Sequence, residues 1–119
     1  MRLNESLEDK CRLFIKAYLD FSESIRSNKG LDEEEFKKLC FLLKDLKSGI
    51  QEEKAVPLSI AGLFIDLYSA VEASAYRHKE EMKQRILLAA DELADIARDV
   101  VLDKNSEEIY SDTGAFTKL

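Results

Sequence analysis

The sequence has no tryptophan, one proline, one histidine, four glycines and two cysteines in 119 residues. Each shortage excludes something. With His78 as the one histidine, neither an HExxH zinc helix nor a two-histidine metal site can be built. A Ser–His–Asp or Cys–His arrangement would have to use His78, and no nucleophile-elbow or cysteine-protease signature accompanies it. Two cysteines cannot form a disulfide framework. One proline and scattered glycines exclude collagenous and low-complexity chains. No GxGxxG and no P-loop is present, so no phosphate cradle is visible. No apolar run approaches the ~20 residues that cross a membrane. The opening MRLNESLEDK has no apolar h-region. A cytoplasmic globular protein with no membrane contact and no cofactor is therefore expected.

Hydrophobic residues make up 45% of the chain and charged residues 35%, and the net charge is −6. That composition suits one helical-bundle domain, read here as residues 1–102, followed by a polar tail over 103–119. The acidity is uneven. Residues 1–79 carry 14 acids and 13 bases, whereas residues 80–119 carry 10 acids and 5 bases. Such a balance argues against nonspecific nucleic-acid binding. The cluster Arg77, His78, Lys79, Lys83 and Arg85 is interrupted by Glu80 and Glu81, so nucleic acid is not expected as a partner. His78 within this charged run reads as a solvated surface residue.

Every strong periodicity is helical. Leu7, Cys11, Phe14, Ile15, Tyr18, Ser22 and Ile25 fall at three- and four-residue steps and predict a first helix over about 5–27. Asn4 and Ser6 are its candidate N-caps, and Gly30 is its expected left-handed stop. The second start is the strongest local signal. Asp32 and Glu35 form a capping box, Leu31 and Phe36 occupy the staple positions, and Glu33–Glu35 meet the positive end of the helix dipole. Phe36, Leu39, Cys40, Leu43 and Leu46 carry that helix to an expected end at Gly49. The two helices should form an antiparallel hairpin. In such a hairpin Cys11 and Cys40 are offset by ~13 Å along the axes, too far for a disulfide, so both should be free thiols.

Beyond Pro57 two stripes follow. Ile60, Phe64, Leu67, Tyr68, Val71 and Ala75 form one; Met82, Ile86, Ala89, Leu93, Ile96 and Val100 form the other, a heptad seam. The junction Tyr76–Met82 contains no cap, glycine or proline. The sequence therefore predicts a continuous or kinked third helix of ~45 residues, ~67 Å long. The alternative is a turn near Tyr76–Glu80 that makes a four-helix bundle. Either way the fold class is an all-α helical bundle of three or four helices, with the N-terminal hairpin packed on the C-terminal half. A hairpin of ~40 residues cannot cover a helix that long, so the seam is expected to drive self-association, as a homodimer. Ile109, Tyr110 and Phe116 are candidate anchors of the tail.

The remaining constellation is acidic. Asp91, Asp95 and Asp99 fall at steps of four on one helix face, with Glu92 and Asp103 alongside. Like charges at that spacing cost a few tenths of a kcal/mol per pair, and only Arg98 is expected to be well placed to relieve them. A solvated face explains the row; a basic partner explains it too. Glu92 and Asp95 also resemble the ExxD half of the pattern of the all-α NTP pyrophosphohydrolases. The EExxE half is absent, so that activity is not carried over. The function expected from the sequence is a non-enzymatic protein-interaction module: an acidic inhibitor, immunity, antitoxin-like or regulatory protein that binds a basic partner. The alternatives are a carboxylate–magnesium nucleotide or phosphoester hydrolase and a structural subunit of a larger assembly.

Overall fold

A computed structural model of the chain describes residues 6–102. Among them there are four helices: α1 (Leu7–Arg26), α2 (Glu33–Glu53), α3 (Leu58–Ala75) and α4 (Glu80–Val101). The protein is an all-α helical bundle. Asn4, Asp103 and the tail residues Ile109, Tyr110 and Phe116 lie outside the described residues.

The helix starts follow local chemistry. The Ser6 hydroxyl accepts from the Asp9 amide at 3.1 Å and caps α1. The Asp32 carboxylate accepts from the amides of Glu34 and Glu35 at 2.9 and 3.1 Å and caps α2. Leu31 and Phe36, the staple pair, are both buried. The capping box is one-armed, because Glu35 Oε1 is buried without a hydrogen-bond partner instead of reaching back to Asp32.

The helix ends depart from the local signals. α1 stops at Ser27, which is extended, and its hydroxyl donates to the Ser24 carbonyl at 2.9 Å. Gly30 is not the stop. It lies in the turn beyond, with φ +73°, and a Cβ there would come 2.8 Å from Met82 Cε. α2 runs through Gly49 to Glu53 and is closed by Lys54 at φ 55°. Gly49 serves packing: a Cβ on it would come 2.9 Å from Leu7 Cδ1, so glycine lets α1 approach. Pro57 caps α3 rather than opening its first turn, and its carbonyl accepts from Ile60 and Ala61.

The expected long third helix is broken. Tyr76–Lys79 forms a turn, with the Arg77 and His78 amides donating to Ser74 and Ala75 carbonyls three residues back. A continuous helix would have carried the stripe of Val71 and Ala75 onto His78 and Lys79, burying a lysine. The break lets α4 fold back on α3. His78 then lies within hydrogen-bonding distance of the Ile25 carbonyl, 2.6 Å from Nε2, and Met82 Sδ accepts from the Leu31 amide at 3.2 Å.

α1 packs on α2 and α3, and α4 packs on α2 and α3. Leu7 beside Gly49 and Lys10 beside Asp45 show that α1 and α2 run in opposite directions. Arg85 with Glu33 at one end and Lys47 with Asp99 at the other show that α2 and α4 run in the same direction. The core consists of the inward stripes. Phe14, Phe21, Leu39, Leu43, Leu46, Ile60, Leu67, Ile86 and Leu93 are all fully buried. Phe14 meets Phe64 edge-on at 6.0 Å, and Phe21 stacks obliquely on Phe36 at 5.8 Å.

This geometry corrects the expectation for the heptad seam. Ile86, Ala89, Leu93 and Val100 are buried inside the bundle, and Met82 and Ile96 are half-buried against the same core. The chain's own helices cover most of the seam, and Ile96 stays half-buried at an open groove.

Two glycine substitutions should move stability in opposite directions. Gly30→Ala imposes a left-handed side chain against Met82 and should cost at least ~1–2 kcal/mol. Gly62→Ala fills open space on a helix and should stabilise by ~0.5–1 kcal/mol. Thermal melts of the two variants check both signs.

Candidate functional site: the outer face of α4 and the groove beside α2

α4 spends its 82–86–89–93–100 stripe on the core, so its other side faces outward. Leu88, Glu92, Asp95 and Asp99, stepping four, three and four, all lie on that outer side and are all exposed. Leu88 is 57% exposed at the N-terminal end of the row, with Gln84 and Arg85 one turn before it. Asp91 is exposed a little further round, beside α3, where its charge and above all the Glu72 carboxylate raise the Tyr68 phenol above its ordinary pKa. Tyr68 donates to Glu72 at 3.1 Å. Asp103 lies outside the described residues.

The carboxylates are not left to repel each other. Asp99 pairs with Lys47 of α2 at 3.0 Å, and Asp95 with Arg98 at 3.0 Å. Glu92 lies 3.7 Å from Arg85. The relief therefore comes largely from other turns and another helix, not from Arg98 alone. Arg85 is the hub. It donates to both oxygens of Glu33, at 2.7 and 2.8 Å, and stacks over the Phe36 ring at 5.0 Å. The hydrogen bonds from Arg85 hold the Glu33 carboxyl below its usual pKa, and the same contact raises Arg85.

Beside this face lies an open groove of about 320 Å³, lined by Phe36, Lys37, Cys40, Phe41, Lys44, Glu92 and Ile96. Its rim is basic and aromatic on the α2 side, where Phe41 is 68% exposed. Cys40 is half-buried in the groove, and burial raises its thiol pKa. Cys11 is buried in the core, with its thiol pKa raised mainly for the same reason. Both thiols are free, as the offset along the hairpin predicts.

The basic cluster is dispersed by the turn. Arg85 faces α2, Lys83 sits 5.4 Å over the Tyr76 ring, and His78 is half-buried against the end of α1 rather than solvated. Among the described residues no three His, Cys, Asp or Glu side chains converge as a metal site, so Glu92 and Asp95 have no partners of that kind.

Phe41, Leu88, Lys37 and Lys44 are what the inward periodicities leave out. The signal for the first two is an apolar residue on an otherwise polar stripe. α3 also presents apolar surface: Leu58 is 92% and Ile65 81% exposed. By length and composition α3 is apolar enough to cross a membrane, with a mean hydropathy of 1.3 over its 18 residues. Here its Ile60, Leu67, Val71 and Ala75 pack into the core.

No known family model matches this chain, and no curated protein or solved structure matches it.

The Arg85–Glu33 contact sets a pH dependence. A carboxyl whose folded pKa lies below its unfolded value contributes stability above the unfolded value, ~4.3 for Glu, and loses it as pH falls through the folded pKa. Glu33→Gln should therefore melt below the wild type at pH 7, and the gap should close as pH falls from the unfolded value, ~4.3, through the lower folded pKa. Melting curves from pH 7 to 3 measure the gap; a gap that stays constant contradicts the assignment.

Proposed function

We propose that this protein is a non-enzymatic interaction module of the inhibitor, immunity, antitoxin-like or regulatory kind, and that it docks a basic protein on the outer face of α4. One observation carries the reading: Leu88 is exposed at the end of a carboxylate row, one turn before Asp91 and Glu92. An exposed apolar residue beside a row of like charge resembles an interface anchor, where the apolar group supplies contact energy and the charged row supplies steering. The acids Asp91, Glu92, Asp95 and Asp99 attract a basic surface over about one Debye length, ~8 Å at physiological salt. The ion pairs with Lys47, Arg85 and Arg98 hold three of these side chains in place, which lowers the ordering cost on binding.

Two sets of substitutions separate anchor from steering. With an immobilised chain and an extract of its native host, Leu88→Ser should lose a basic protein that the wild type retains, identified by mass spectrometry. Asp91, Asp95 and Asp99→Asn together should slow association with that protein several-fold at low salt, with a smaller change in dissociation. Both variants should keep the wild-type helical content, because none of the four side chains is buried. Equal association rates at low salt for the triple variant and the wild type would end the steering role.

A further inference from the structure

We infer that the basic surface facing α4 is the outer face of α2 in a second copy of this chain, so that the protein forms a parallel two-fold dimer. The inference rests on the reading of α4 as a docking face, but gives that face to the lysine-bearing stripe of a second copy in place of a separate basic protein. Two outward stripes match. On α2 the outward positions 37, 41, 44 and 48 are Lys, Phe, Lys and Ser; on α4 the outward positions 88, 92, 95 and 99 are Leu, Glu, Asp and Asp. Both stripes step four, three, four. The wider segments are polarised alike: residues 36–51 hold four lysines and one acid, and residues 88–99 hold four acids and one base.

The two helices lie side by side and run the same way, in a register fixed by Glu33–Arg85 and Lys47–Asp99. Those pairs differ by 52 in sequence number, and Gln51 to Val100 differs by 49. Hence Lys37, Phe41, Lys44 and Ser48 stand level with Leu88, Glu92, Asp95 and Asp99. A two-fold axis parallel to the helices lays α2 of one copy on α4 of the other without changing any height. It brings Lys44 opposite Asp95 of the second copy, and Phe41 opposite Glu92 and within one turn of Leu88. A two-fold axis across the helices would instead oppose α2 to α2 and α4 to α4, like charge on like charge. Electrostatics thus selects the parallel pair.

Size agrees. Two helices of 21 and 22 residues make a strip ~32 Å long and ~20 Å wide, near the scale of a standard interface side. Phe41, Leu88 and the groove at Cys40 supply its apolar centre.

Charge reversal tests the arrangement with the full chain. One variant carries Lys37→Glu and Lys44→Glu; the other carries Glu92→Lys and Asp95→Lys. Circular dichroism first confirms that each keeps its helical content. Light scattering across a hundredfold dilution should show the wild type moving between 13.6 kDa and twice that mass. Each variant alone should dissociate at concentrations at least about tenfold higher than the wild type. An equimolar mixture should recover a dimer containing one chain of each, because both α2–α4 contacts are then complementary. A wild type that stays monomeric overturns the dimer, as does a mixture that fails to recover. The α4 reading falls separately. If the wild type is monomeric but Leu88→Ser loses a captured basic protein, α4 remains a docking face with another occupant; if nothing is lost, both fall.

Discussion

An amphipathic helix is stable only where something covers its apolar side, and in this chain the cover depends on the four residues Tyr76–Lys79. The turn they form reverses the chain, and α4 then lays Ile86, Ala89, Leu93 and Val100 into the space between α2 and α3. Each buried leucine or isoleucine there gains ~1.5–3 kcal/mol over exposure. The turn itself has weak local support: Lys79 offers no side-chain cap, and Glu80 and Glu81 contribute only their charge at the helix dipole. It persists because tertiary contacts close over it, with His78 against the end of α1 and Met82 beneath Gly30 and Leu31.

That imbalance explains what could be read from sequence. The start of α2 was legible at Asp32 because its cap, its staple and its acidic first turn all fall within the six residues Leu31–Phe36. The inward stripes were legible for the same reason, since periodicity alone decides which side is buried. The turn at Tyr76 was not, because its partners lie some fifty residues away. Gly49 misleads in another manner. Glycine ends helices, but it also admits close neighbours, and only the position of Leu7 distinguishes the two uses. The acidic row was legible as an exposed face, whereas its counter-charges on Lys47 and Arg85 depend on which helix becomes the neighbour.

Charge is sorted by helix face as well as along the chain. The net of −6 conceals a lysine-bearing outer face on α2 beside a carboxylate-bearing one on α4. Arg85 and Lys47 cross the boundary between the two and tie them together. Exposed pairs of this kind stabilise a fold little. Their larger effect is on register, since they hold the two faces level. Phe41 and Leu88 stand on those faces as single apolar residues, a pattern ordinary enough on protein surfaces that sequence gives it no weight.

The pairing of neighbours also has a consequence in time. α1 with α2 and α3 with α4 are joined by short turns, so each pair needs only a short loop to close. The bonds between the pairs have no such advantage: Ile25 with His78, Leu31 with Met82, and Lys47 with Asp99 are separated by 53, 51 and 52 residues. Loop-closure entropy then favours structure within each half before the long-range bonds form. Weakening one of those bonds then leaves the rate of folding nearly untouched and shortens the lifetime of the folded state.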